Sequence, residues 1–564
     1  MRKGFSSLWF FIVVAVSYWA VAPLLVPGFF PMHDATQVAR VYEMARGLLD
    51  GMFPVRWVVD LGYGYGYPIF SFYGPFAYYI GAIPVILGTN ALVATKIMFG
   101  VGIILSGIGM FYLARTFWGN AAAVVSSLLY IYAPYHAVTV YVRGAVGEFF
   151  GYALLPFVFY GAIKMYKVGA FRYFVVFVLS YAALILSHNL TALMITPYLL
   201  FSLVVLAFFS LKEKKVKSFY FLLFGLLLGL GVSAFYWLPA FLEMQYTNVF
   251  SQVGGGANFR DHFVCLAQLW SSQWGFAGSA RGCIDGLSFQ IGKLHILFVF
   301  LTIPLFVILF GTQKERAFVL GTGMVFFLLS IFLLLPYSRF LWELAPQIWF
   351  IQYPWRFLMF VSFFSSFIAG GVIWYIFTRE AVWNNRVFRV CVLGSVSVVI
   401  LLLYTKLFIP QAILNKSSND YTNINELRWK TSKISDEYLP TDFSKPYAEN
   451  EFPLNTFYVL SGDAKPFNEM TKAQEYSVEY RSFFPSTIGA RIAHFPAWVA
   501  YLDDNLIPYE GEGNGYSVEV PSGRHQLKFS YHNTPIEEAS NILSVISILI
   551  LLTGIILTER KGQL

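Results

Sequence analysis

Only 12% of the 564 residues are charged, so an acid, imidazole or guanidinium beside a long apolar run calls for a reason. The first such group is His33-Asp34, in "FFPMHDATQVARVYEMARGLLDG" (29–51), directly after the first apolar run. Arg143 and Glu148 flank two glycines in "VYVRGAVGEFFG". His188 falls in "LSHNLTAL", Glu243 in "YWLPAFLEMQY" and Arg356 in "IQYPWRFL", each at the end of an apolar run. Ionisable groups near membrane depth are costly unless they are paired or functional. Carboxylates bind hard divalent cations or act as general bases, and a guanidinium clamps phosphate. As a set, these residues suit a reaction on a lipid phosphate presented at the membrane boundary. Singly, each has a plainer reading. A boundary His or Arg serves as an interfacial anchor, and Asp34 with Gln37 three residues on has the pattern of a capping box.

Aromatic residues supply a second kind of candidate. Tyr65 and Tyr67 belong to "RWVVDLGYGYGYPIFSFYGPFAYY" (56–79), where tyrosines and glycines alternate. Such rings stack on the CH faces of sugars, or else form an interfacial aromatic belt. The glycines lack the spacing of a nucleotide-binding fingerprint and have no strand–helix context. Of the three cysteines, Cys265 and Cys283 share one polar segment and could form a disulfide in an oxidising exterior, whereas Cys391 lies in an apolar run. No spacing suggests a metal cluster.

These groups need elements to hold them. The chain is 57% hydrophobic, and its apolar runs approach the roughly 20 residues a membrane-crossing helix requires, about 12 of them in all. The net charge of +8 does not point to nucleic acid, because Lys and Arg gather at the ends of the apolar runs, as in "KEKKVK" (212–217). That is the positive-inside pattern. It places both termini in the cytoplasm of a plasma-membrane protein and the segments 28–92, 138–147, 240–292 and 336–353 outside. The run from Phe5 to Leu25 reads as a retained first helix rather than a cleaved signal. "YGPFAYYIGAIPVILG", about 16 residues with Pro75 and Pro84, is too short and too broken to span. After Asp34, Val38, Val41, Tyr42, Ala45, Leu48 and Leu49 recur at helical spacing and predict a helix lying along the membrane surface. Residues 410–540 are rich in turn residues and in alternating stretches such as "YSVEVPSG" and "HQLKFSYHN". The expected fold is therefore mainly α, a polytopic domain over 1–409. An outward β-rich soluble domain covers 410–540, and a final transmembrane helix with a short cytoplasmic tail covers 541–564.

The pattern "HDATQVARVYEMARGLLDGMFPVRW", then "GYGYPIFSFYGPFAYY", "RGAVGE", "SHNLTAL", "FYWLPAFLE", "SFQIGKLHI" and "IQYPWRFL" resembles the prokaryotic membrane-protein family labelled 6-pyruvoyl-tetrahydropterin synthase-related. The resemblance extends through "HFPAWVAYLDDNLIPYEG" near the end. Soluble pterin synthases are small enzymes with a His-bound zinc, and nothing here supplies a comparable site. The architecture looks instead like the GT-C class of integral membrane glycosyltransferases. That likeness implies sugar transfer from a polyprenyl-phosphate donor to a glycan, lipid or protein acceptor at the outer face. It implies a divalent cation such as Mg or Mn and no nucleotide cofactor. Carried over by position, Asp34 matches the first-loop acid that activates the acceptor or positions a metal, and Glu148 lies where a second catalytic or metal-binding acid is found. Arg356 is the choice for the donor phosphate, with Arg143 or His188 assisting. His33, Glu243, Tyr65 and Tyr67 complete the expected substrate-binding set.

Two other classes remain in view. A lipid-linked glycan transporter or flippase places charged pairs near the midplane and often carries internal repeats, and none is visible in the sequence. A non-enzymatic scaffold with a glycan-binding β module requires no meeting of Asp34, Glu148 and Arg356.

Overall fold

The computed structural model describes residues 2–560 apart from 213, 255–256, 379–384 and 452–453, so the tail 561–564 lies outside the described residues. Among the described residues, eight helices are long and apolar enough to cross a membrane: Ala91–Ile131, Val146–Val168, Asn189–Lys212, Lys293–Thr312, Lys314–Leu334, Pro354–Phe377, Val387–Phe408 and Pro535–Arg560. Two more candidates are bent pairs, Leu8–Val16 with Tyr18–Leu25 at 51° and Val216–Val232 with Ala234–Leu242 at 69°. Gly119, at φ 77°, breaks the 41-residue Ala91–Ile131 helix into two arms. A left-handed residue cannot continue a right-handed helix, and glycine takes that conformation without steric cost. Treating the two arms separately and admitting the 17-residue Phe171–Ser187 helix accounts for every apolar run singled out in the sequence. The proline-broken stretch forms an 11-residue helix, Phe76–Ile86, about half the length of a span.

The cationic ends of several helices meet at one end of the bundle. Lys167 pairs with Glu315 at 2.5 Å, Arg316 lies 4.3 Å over the Trp374 ring, and Lys215 lies 5.3 Å over Tyr166. Asp34, Glu148 and Arg356 belong to the other end, since Glu148 opens the helix that Lys167 closes.

The helix after Asp34, Gln37–Leu49, departs from expectation. Its polar residues Gln37, Arg40 and Glu43 are buried along with Val38, Val41, Met44 and Ala45, while Leu49 at its end is exposed. It does not lie free on a bilayer surface. It packs on Phe76–Ile86 and Ala91–Ile131, and the C-terminal domain closes over it: Ala473 donates to Asp50 at 2.9 Å, and Arg428 reaches Asp60 at 3.0 Å. An amphipathic pattern specifies an apolar face but not what covers the polar one.

Residues 457–531 form nine strands: β1 (Phe457–Ser461), β2 (Lys465–Lys472), β3 (Glu475–Ser482), β4 (Ser486–Ala490), β5 (Trp498–Leu502), β6 (Asn505–Leu506), β7 (Glu510–Glu512), β8 (Gly515–Val520) and β9 (Gly523–Tyr531). They make two antiparallel sheets, ordered β1-β4-β8-β7 and β2-β3-β9-β5-β6. Inward-facing Phe457 and Tyr516 of the first sheet meet Phe529 of the second, as in a β-sandwich. Among the described residues, the preceding segment adds no strand to either sheet. It crosses the first long loop as a strap: Tyr63 donates to Ser432 at 3.1 Å, Tyr438 to the Tyr67 hydroxyl at 3.0 Å, and Asn248 to the Leu439 carbonyl at 2.8 Å.

Candidate functional site at the Asp34 end

Four polar chain segments converge at the Asp34 end. The His33 and Asp34 amides donate to the Val142 and Arg143 carbonyls at 3.1 and 2.9 Å, so the first loop is laid along the second. Gln37 fixes the join, donating to the Gly144 carbonyl at 2.8 Å and accepting from Tyr78 at 2.6 Å. Gly144 permits it: its φ is +63°, and a Cβ there would run into the Met32 thioether. The capping-box reading of Asp34 fails on geometry. The helix begins at Gln37 with Thr36 in the cap position and no side-chain cap, because Gln37 is committed to Gly144 and Tyr78. Among the described residues, the half-buried Asp34 carboxylate makes no hydrogen bond or ion pair. It lies within electrostatic reach of Arg143, Tyr73, Tyr78 and Glu437.

Glu148 is in the opposite condition. Arg143 Nη1 donates to its Oε2 at 2.8 Å, Arg356 Nε stands 3.5 Å from the same oxygen, and the Tyr135 hydroxyl donates to Oε1. Both oxygens are occupied, which departs from the expected catalytic or metal-binding acid. Glu148 is the buried counter-ion of two arginines. Arg143 also stacks on Trp355, 4.6 Å to the ring centroid, and Arg356 reaches Gln352 at 3.4 Å. Arg356 is 8% exposed, yet its Nε and Nη1 have no hydrogen-bond partner. His188 lies within electrostatic reach of Arg356, Glu148 and Arg143, and the Thr191 amide donates to its Nδ1 at 3.2 Å, which puts the proton of a neutral ring on Nε2. Gly147 makes room for this segment, as a Cβ there would lie 2.7 Å from the Ser187 carbonyl.

Sequence reasoning passed over two members of the cluster. Arg40, six residues after Asp34, is buried, donates to Ser435 at 2.7 Å and lies 4.3 Å over Tyr73. Glu437 arrives on the strap, 3.9 Å from Arg40. Burial pushes its carboxyl above the ordinary range, with Arg40 opposing. An arginine on the buried side of an amphipathic helix was a readable signal. Nothing in "KISDEYLP" marks Glu437.

Other expected site residues lie elsewhere. The fully buried Tyr67 takes a hydrogen bond from the strap, and Tyr65 meets Phe443 edge-on at 5.3 Å. Both fasten the domain, and no ring face of Tyr67 is open to a sugar. Glu243 accepts from Thr534 in a buried network where Arg56 stands 3.5 Å from Glu537 and donates to Asn541 at 2.9 Å. That network docks the last helix, away from Asp34. His33 is exposed and binds the Phe276 carbonyl at 2.9 Å, in the loop that a Cys265–Cys283 disulfide closes, Cα atoms 5.6 Å apart.

The residues named for a divalent cation do not fit one as arranged. Glu148 has no free oxygen, and the described residues contain no group of three or more His, Cys, Asp or Glu placed to hold a metal ion.

Solved structures with some likeness are distant. The apo oligosaccharyltransferase of Archaeoglobus fulgidus aligns with TM-score 0.44 at 11% identity, over 71% of this chain and 55% of that one. Its complex with Zn and sulfate aligns with TM-score 0.38 at 14% identity, over 79% and 59%. ArnT from Cupriavidus metallidurans bound to undecaprenyl phosphate gives 0.31 at 13%, over 66% and 78%. The chain thus spans little more than half the length of the oligosaccharyltransferase. No curated protein matches it. A family model does, over residues 70–410, more than half of the chain and including Arg143, Glu148, His188 and Arg356. The protein belongs to the 6-pyruvoyl-tetrahydropterin synthase-related family of membrane proteins.

Proposed function

We propose that this protein is a membrane glycosyltransferase of GT-C type, moving a sugar from a polyprenyl-phosphate donor to an acceptor hydroxyl at the outer face of the membrane. One observation supports this above the others. An unpartnered carboxylate, Asp34, stands beside a buried arginine pair in which one guanidinium keeps two unbonded nitrogens. A base next to an anion clamp is what displacement of a phosphate at an anomeric carbon requires.

In this reading the acceptor oxygen attacks the anomeric carbon while its proton passes to Asp34, and the bond from that carbon to the phosphate oxygen breaks. One displacement inverts the anomeric carbon. The departing lipid phosphate takes up negative charge, which Arg356 meets with its unbonded Nη1, Arg143 from its place over Trp355, and His188 with its Nε2 proton. Glu148 is a positioning residue that holds both guanidiniums at fixed angles. Glu437 offers the acceptor a second hydrogen-bonding carboxyl opposite Asp34. No step here is routed through a cation. The cationic helix ends support the outward placement, since such ends favour the cytoplasmic side.

The test is Asp34→Asn at matched expression, with lipids and glycans of the host read by mass spectrometry. The expected result is loss of a glycosylated product and accumulation of a glycosyl polyprenyl phosphate, with turnover down by roughly 10²–10⁴-fold, the usual weight of a general base. Unchanged lipids and glycans, in a host where deleting the gene does change them, would remove Asp34 from catalysis.

A further inference from the structure

A large cavity lies away from the Asp34 cluster. It has a volume of about 1120 Å³ and lies among the helices Val146–Val168, Asn189–Lys212, Lys314–Leu334 and Pro354–Phe377, towards their cationic ends. Its wall is hydrocarbon, with Phe159, Leu199, Phe326, Phe363 and Phe367 prominent. Exposed Phe310 and Val325 mark where it opens sideways. Because the wall is hydrocarbon and the cavity opens sideways between helices long and apolar enough to cross a membrane, its fitting occupant is hydrocarbon rather than water.

The mouth is predominantly cationic. Among the described residues, Lys167, Lys212, Lys215 and Lys314 line it against one acid, Glu315, which Lys167 already holds at 2.5 Å. Among the described residues, Lys212 and Lys314 make no hydrogen bond or ion pair. Lys314 is also the first residue of its 21-residue helix, whose positive end and free amides favour an anion. Hydrocarbon wall and cationic mouth together describe one kind of molecule, a lipid with an anionic phosphate head.

We infer that this cavity is a binding site for an anionic two-chain phospholipid of the cytoplasmic leaflet, chains between the Asn189–Lys212 and Lys314–Leu334 helices and phosphate between Lys212 and Lys314. It is separate from the proposed donor site. Glu148 and Lys167 are 19 residues apart on one helix, roughly 29 Å at 1.5 Å per residue, so one phosphate cannot serve both ends. The inference rests on the cavity and its lysines and stands whether or not Asp34 is catalytic.

The experiment is native mass spectrometry of the purified full chain, equilibrated with palmitoyl-oleoyl phosphatidylglycerol, with the phosphatidylethanolamine of the same chains, and with undecaprenyl phosphate. Wild type should retain phosphatidylglycerol in clear preference to phosphatidylethanolamine. In Lys212→Gln/Lys314→Gln its retention should fall roughly 30-fold, about fivefold for each lysine near an anionic head group, while that of phosphatidylethanolamine, whose ammonium offsets its phosphate, should fall far less. Leu199→Trp, which fills the cavity and leaves the lysines in place, should expel both phospholipids. Equal retention of the two phospholipids, or phosphatidylglycerol retention indifferent to the lysines, would overturn the inference. So would undecaprenyl phosphate displacing phosphatidylglycerol and itself depending on Lys212 and Lys314, because the occupant would then be the single-chain lipid. Loss of Asp34→Asn activity bears on the proposed function alone.

Discussion

The sharpest consequence of the site geometry concerns Glu148→Gln. Glutamine keeps the shape and an oxygen for the Tyr135 hydroxyl, but removes the negative charge between Arg143 and Arg356. At 2.8 and 3.5 Å, the two attractions are worth roughly 6 and 5 kcal/mol at an effective dielectric near 20. Much of that is offset by the cost of desolvating all three groups, so the net loss on breaking such a buried cluster is about 3–5 kcal/mol. At roughly 2 °C per kcal/mol, the low end for large domains, the apparent Tm in detergent should fall by about 6–10 °C, followed by tryptophan fluorescence. Millimolar inorganic phosphate should restore part of the loss in Glu148→Gln and do less for wild type, because the mutant presents two uncompensated guanidiniums. Asp34→Asn, which removes no partner, should leave Tm unchanged. A Glu148→Gln protein that melts with wild type and ignores phosphate would refute the counter-ion assignment, and with it the argument that Glu148 is a positioning residue.

Two further outcomes follow from neighbouring residues. Burial and the adjacent Asp60 push the Glu43 carboxyl up to about 8, against the pull of Arg46. A raised folded pKa means the native protein holds its proton longer than the unfolded chain, so this group's contribution is fully present below the ordinary carboxylate range and lost as pH rises to about 8. Melts of wild type and Glu43→Gln should therefore diverge in favour of the mutant across that window, by up to about 1.4 kcal/mol per pH unit, and parallel curves would exclude the linkage. Gly144→Ala must place a side chain at φ +63° against Met32. It should cost about 1–3 kcal/mol from the backbone alone, and Met32→Ala should relieve the clash but not that cost.

The candidate site was only partly readable in the chain. Asp34, Arg143, Glu148 and Arg356 stood out because each is a charge at the edge of an apolar run, where solvation makes charge expensive. Their roles did not stand out, since spacing cannot say that Glu148 has every oxygen occupied while Asp34 has none. Glu243 carried the same signal and Tyr67 an aromatic one, yet both sit in contacts that dock the last helix or the strap, because a buried polar group that docks a domain obeys the same solvation rule as one that binds substrate.

Apolar length and the placement of lysines and arginines were enough to mark the helices, the short Phe76–Ile86 segment and the β-rich module, because the bilayer and the period-2 strand impose those patterns locally. Tertiary structure decided what no local pattern encodes. It turned the Gln37–Leu49 helix from a surface element into one covered on both faces, and brought Glu437 across some 400 residues of chain to Arg40. It also opened a cavity between helices whose facing residues look, in sequence, like any others that meet lipid. Those outcomes depend on which surfaces meet, and burial of a charge or a void is a property of the meeting rather than of either strand of sequence.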